Sequence, residues 1–235
     1  MSNFSDAKSF LFTATADNRP DLHVFATTGG LAGTNCFLLA CDDTRQAVLF
    51  DAPDHTVAPM LDDLDDQDLD LVGLWLTHGH FDHLGDHAVV SKRFPGAKIL
   101  IHELDLPKLH QPGSRMFPLP FEIPPGEADA LIEDDQELSF GRQQCTVLFT
   151  PGHSPGHVMF HFAEHKLLVG GDLIIGGAVG RTDLPDSSEQ KLNESIRRVM
   201  DLPRDTILLP GHGQPSRLEE EFEHNPYVKM ALSER

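Results

Sequence analysis

Short apolar runs recur along this chain at residues 22–26, 35–40, 47–50, 71–77, 98–101, 146–150, 157–162, 166–169 and 206–209. They are rich in β-branched and aromatic residues, and most run into Gly, Pro, Asp or His, as strands do. Helical patterns fall between some of them, at 54–64, 84–94 and 187–202. The last is the clearest, with Leu192, Ile196, Val199 and Met200 on one stripe and Asp186 or Ser187 available as N-cap. Strands and helices therefore alternate through both halves. This predicts an α/β protein with mixed sheets covered by helices. Residues 111–126 break the pattern with five prolines and two glycines. They predict a long loop, and long loops in compact domains are often functional.

Composition narrows the class. The 235 residues, 40% of them hydrophobic, suit one domain spanning 1–235. There is no apolar run of about 18 residues, so no membrane span is expected. Residues 1–21 lack the basic start and apolar centre of a secretory leader, so a cytoplasmic protein is expected. Cys36, Cys41 and Cys145 are odd in number and lack metal-ligand spacing. Cys36 and Cys145 lie in strand-like runs and read as buried, inert thiols. The formal charge of -19, from 37 acidic and 18 basic residues, would repel a phosphate backbone, so nucleic acid is not an expected partner. The densest acidic run, residues 62–68, reads as a solvated helix end.

One strand carries unusual chemistry. The run 71–77 leads directly into His78-Gly79-His80-Phe81-Asp82-His83. Histidines at i and i+2 project to the same side of an extended chain, and Asp82 and His83 follow on the turn. Imidazoles and carboxylates without thiolate suit zinc, iron or manganese. Three more elements share the context: Pro151-Gly152-His153, Gly170-Gly171-Asp172 and Pro210-Gly211-His212-Gly213 each follow a strand. Glycine beside each candidate lets backbone approach a crowded centre. Four strand-end loops converging on one place predict an active site at a sheet edge. Asp51, ending the 47–50 strand, either orients a ligand from behind or caps the next helix. His157 begins a strand, and a structural hydrogen bond suits it better than ligation.

In this order, Asp51, His78-x-His80-x-Asp82-His83, His153, Asp172 and His212 resemble the metallo-β-lactamase superfamily over most of the chain. The resemblance implies a four-layer αβ/βα sandwich with two mixed β-sheets. Asp172 stands where lactam-hydrolysing members commonly carry a cysteine, so the glyoxalase II-like branch fits best. Gly180-Arg181-Thr182-Asp183-Leu184-Pro185, Ser114-Arg115-Met116-Phe117 and Glu219-Glu220…Asn225-Pro226 look like its short bacterial hydroxyacylglutathione-hydrolase-like subgroup (the YcbL type). By resemblance, two divalent metal ions are held: the first by His78, His80 and His153, the second by Asp82, His83 and His212, with Asp172 bridging. Zinc leads, with iron and manganese as alternatives.

The chemistry then expected is hydrolysis of a small-molecule thioester such as S-lactoylglutathione, by a metal-bound hydroxide. Asp82 and Asp172 contribute two of the negative charges at the centre, which stays net positive toward an anionic intermediate. Arg181, close behind Asp172, is the first candidate for a substrate carboxylate, and Arg115 on the proline-rich loop is the second. The alternatives are a persulfide dioxygenase using one iron and a lactonase-type hydrolase.

Overall fold

Side chains of a strand alternate between its two faces, and a strand apolar on both faces must be covered twice. The central strands of this protein are of that kind. The structure, a computed structural model, describes residues 9–17, 19–114 and 116–233. The N-terminal half comprises β1 (Phe10–Ala16), β2 (Arg19–Gly29), β3 (Thr34–Cys41), β4 (Gln46–Phe50), α1 (Ala58–Asp66), β5 (Asp70–Trp75), α2 (Phe81–Leu84), α3 (His87–Arg93), β6 (Lys98–His102), α4 (Leu106–His110) and β7 (Ala130–Ile132). The C-terminal half comprises β8 (Glu137–Phe140), β9 (Gln143–Phe149), β10 (Val158–Phe162), β11 (Leu167–Gly171), α5 (Glu189–Val199), β12 (Ile207–Pro210), β13 (Ser216–Arg217), α6 (Leu218–His224) and α7 (Pro226–Ser233).

The first seven strands form one sheet in sequential order, antiparallel from β1 to β4 and parallel from β4 to β7. The second sheet has the order β13-β12-β11-β10-β9-β8, in which only β11 and β12 run parallel. Three apolar cores hold the layers together. On β3, Cys36, Leu38 and Ala40 face Met60, Leu61 and Leu64 of α1, while Phe37 and Leu39 face the other sheet. Between the sheets, Phe50 meets Trp75, Phe160 and Phe162 edge-on at centroid distances of 5.6, 5.1 and 6.2 Å. Leu192, Ile196 and Val199 of α5 and Val228 of α7 cover the far face of the second sheet. The result is the expected four-layer sandwich with two mixed sheets. Among the described residues no helix is long and apolar enough to cross a membrane.

Several local expectations need correction. The helix predicted over 84–94 starts later, as α3 at His87, and the carboxylate of Asp86 just before it turns away to accept the N–H groups of His55, Thr56 and Val57. Those bonds hold 54–57 as a turn, so α1 starts at Ala58 rather than 54. Helix α5 is capped by Ser188, not by Asp186 or Ser187: Ser188 is extended and its side chain accepts from Lys191 N–H. The acidic run ends a helix as expected, yet Asp63 within it is buried and accepts from the backbone and hydroxyl of Ser9. The three cysteines are free and buried, and burial pushes the Cys36 and Cys145 thiols up. Residues 111–126 contain no helix or strand among the described positions.

Candidate metal centre

The carboxyl ends of four strands supply the site. The chain leaving β5 carries His78 and His80, and α2 adds Asp82 and His83. The β9–β10 connection carries His153, Asp172 follows β11, and His212 follows β12. The two sheets are joined here: Val158 N–H donates to Thr77 O at 2.8 Å, and Asn35 N–H donates to Gly211 O at 2.7 Å.

The structure brings all seven candidate ligands together. His80 Nδ1 lies 3.0 Å from His78 Nε2 and 2.9 Å from His153 Nε2. His212 Nε2 lies 3.4 Å from Asp82 Oδ2, and His83 Nε2 lies 3.5 Å from the same oxygen. Asp172 sits between the two groups, its Oδ2 3.4 Å from His153 Nε2 and 3.3 Å from His212 Nε2. Glycine is required around it. A Cβ on Gly211 would stand 2.1 Å from Asp172 Oδ1, and one on Gly180 would stand 2.0 Å from the Asp172 carbonyl.

Outer hydrogen bonds fix which ring nitrogen faces inward. Asp51 accepts from Thr77 N–H and Thr77 Oγ1, both at 2.8 Å, and from His83 Nδ1 at 2.8 Å. Thr77 Oγ1, its own proton given to Asp51, accepts from His78 Nδ1 at 3.1 Å. His153 Nδ1 donates to the Arg181 carbonyl at 2.9 Å. In each ring Nε2 is left for a cation or a proton. Asp51 therefore orients a histidine and does not cap α1. His157 takes the structural part expected of it: Nδ1 meets Thr150 Oγ1, and Nε2 accepts from Asp172 N–H, both at 2.9 Å.

The residues present fit a metal. His83 Nε2 and Asp172 Oδ1 are buried without a hydrogen-bond partner and face each other at 3.4 Å, too far for a good bond. Native interiors rarely leave such atoms orphaned, and an ion is one of the standard reasons. His78, His80 and His153 form one set of donors within 4.8 Å of one another, Asp82, His83 and His212 another, and His78, His83 and Asp172 a third that links them.

Without a cation the charges settle unevenly. Burial pushes His78 down, and it lowers His80 to about 3. Burial also disfavours charge at His83 and His212, but their carboxylate neighbours outweigh it, raising His83 well above the usual range and His212 to about 9. Reciprocally, the charge on His83 and bonds to His212 overcome burial, holding Asp82 at about 2 and Asp172 well below the usual range.

A cavity of about 690 Å³ opens over the site. Its floor is polar, and its wall includes Phe81, Met116, Phe117, Leu184 and Pro185. The proline-rich loop thus flanks the site. Arg181 reaches the same cavity, with its guanidinium paired to Asp183 at 2.6 and 2.7 Å. Arg115 lies outside the described residues. Sequence reasoning missed Thr34, whose hydroxyl donates to Asp82 Oδ2 at 2.8 Å, and Thr77. It also missed Asp105 and Lys108, which stand behind and beside His80. No motif marks these four.

Comparison with known proteins follows the same lines. "Probable metallo-hydrolase YqgX" of Bacillus subtilis is 33% identical over 198 residues, covering 83% of this chain and 92% of that protein. "Hydroxyacylglutathione hydrolase GloC" of Haemophilus influenzae is 33% identical over 205 residues, with coverage of 83% and 92%. The crystal structure of TTHA1623 in a di-iron-bound form has a TM-score of 0.78 at 34% identity, covering 87% of this chain and all of that one. Residues 29–212 match the family described as the Metallo-beta-lactamase superfamily. That match runs from the end of β2 to the last histidine of the cluster, and the chain belongs to the metallo-beta-lactamase superfamily as a metal-dependent hydrolase.

Proposed function

We propose that this enzyme hydrolyses thioesters, with S-lactoylglutathione as the first substrate to test. In this reading it works at two divalent ions, one on His78, His80 and His153 and the other on Asp82, His83 and His212, with Asp172 between them. Zinc is the first choice, iron or manganese the next. The observation that carries it is the orphaned pair His83 Nε2 and Asp172 Oδ1 amid seven converging donors under an open cavity. The match to GloC supports the substrate class, because it spans 92% of that relative's length.

Bound there, a pair of divalent ions supplies activated water near neutral pH and positive charge for an anionic intermediate. The chain's own residues do the rest. Asp51 keeps His83 and, through Thr77, His78 in the ligating orientation. Thr34 and His157 hold Asp82 and the Asp172 backbone. Phe81 and Phe117, edge to face at 5.9 Å, offer an apolar wall to an acyl or thiol chain. A thiolate leaves without protonation, so no side chain is assigned as general acid. Arg181 is proposed to exchange Asp183 for a substrate carboxylate, with Arg115 as the second candidate.

The test is metal analysis of one preparation, assayed in parallel for thioester hydrolysis and oxygen consumption. Two metals per chain and hydrolysis that disappears in His78→Ala are expected. One iron per chain with oxygen uptake on glutathione persulfide, and no thioester turnover, would replace this reading with a persulfide dioxygenase.

A further inference from the structure

Asp105 belongs to none of the motifs above. It stands just past β6, at the residue before α4, and its side chain is fully buried. Both oxygens are in use. Oδ2 accepts from Gly79 N–H at 2.7 Å and from the Ser154 hydroxyl, and Oδ1 accepts from Gly156 N–H at 3.0 Å and from Lys108 Nζ at 3.1 Å. Gly79 lies between His78 and His80, and Ser154 directly follows His153. One carboxylate therefore ties together the two loops that carry the three-histidine group.

Lys108 extends the tie. An ammonium has three protons to give. Those of Lys108 face Asp105, the Ser154 hydroxyl and, at 3.0 Å, Asp186. With its donors engaged, this lysine braces the loops rather than waiting for a substrate anion. Asp186 lies on the segment after Arg181, whose carbonyl orients His153. Charge-assisted bonds to backbone N–H groups are shorter and stronger than neutral ones, so a buried carboxylate with four donors makes a stiff joint.

We infer that Asp105 is a positioning residue for the three-histidine group, setting the spacing between the His78–His80 loop and the His153 loop. This rests on the ligand assignment proposed above. Partners that orient ligands typically change metal affinity by about 10–100-fold when lost.

Cobalt(II) is the probe. It is titrated into metal-free wild type, Asp105→Asn, His153→Ala and His212→Ala, and followed by absorption and chelator competition. The two histidine variants identify which binding step belongs to which group. Asp105→Asn is expected to weaken the step missing in His153→Ala by about 10–100-fold. The step missing in His212→Ala should stay within about twofold, because no Asp105 bond reaches that group. Equal weakening of both steps, or no change in either, overturns the inference. No cobalt binding by wild type would sink the ligand assignment itself, a different failure. Should Asp105→Asn not fold, Ser154→Ala removes one of the four bonds, together with the bond from Lys108 to Ser154, without altering charge. It should weaken the same step by a few-fold, and an unchanged step there overturns the inference equally.

Discussion

The two halves of the candidate metal centre are built on opposite electrostatics. Around His78 and His80 burial dominates, and the rings stay neutral with their nitrogens turned together. Around His83 and His212 carboxylates dominate, and the rings hold protons in the absence of a cation. In the proposed assignment, the first group is already in its ligating protonation state, while the second would have to give up protons to bind a metal. Their supports differ too, Asp105 bracing the first and Thr34 the second, with Asp51 touching both.

The largest expected effect tests whether both halves are needed. His153→Ala and His212→Ala should each lower thioester turnover by on the order of 10³-fold, since each removes a ligand that places charge at the reacting group. Turnover that survives in His212→Ala alone would show that the three-histidine half suffices. Asp51→Asn comes next. It should weaken metal binding in both halves by about 10–100-fold, whereas Thr34→Val should affect only the acidic half, measured by zinc competition against a chelator.

The pH dependence separates the halves by sign. Metal ligands must be deprotonated to bind. His212 is raised to about 9 and His83 is raised well above the usual range, so between pH 7 and 9 binding to the acidic half releases protons, and affinity there rises with pH until both rings are neutral. His80 is lowered to about 3, so no proton from it is displaced in that window. Zinc titrations at pH 7, 8 and 9 in weak buffer should show one step steepening by about tenfold per pH unit for each proton released, and one far flatter step. Two equally steep steps would erase the distinction. The smallest effect concerns the wall: Phe117→Ala should raise KM by a few-fold with kcat little changed, because the ring is half exposed and contributes surface alone.

Much of this site was legible in the sequence because the candidate ligands sit at strand ends beside glycine, a local pattern. The run His78 to His83 and the loops of His153, Asp172 and His212 have that form. Thr34, Thr77 and Asp105 do not, because their roles exist only after distant loops meet; Asp105 and Ser154 have no local relation. The same distinction explains the fold. Buried strands such as β3 and β4 show as apolar runs, while β1 and β8 are partly exposed and carry polar residues that hide them. Three adjacent cap candidates precede α5, and composition cannot choose among them: Ser187 is drawn into the turn with Leu184, leaving Ser188 to cap.

Asn35 donates its side-chain amide to the carbonyls of Pro210, 175 positions away, and of Gly213. Thr34 bridges to His212 beside it. The Asp82–His83–His212 group therefore comes together only when the first sheet grips the last strand loop, a contact that must wait for long-range chain closure. A ligand that binds only the closed form adds stability by mass action. Metal loading should then act as a latch on sheet docking. Stripping any bound ions should lower the unfolding temperature and open amide exchange first along this seam, so a protease and a chelator would meet the protein's weakest point in the same place.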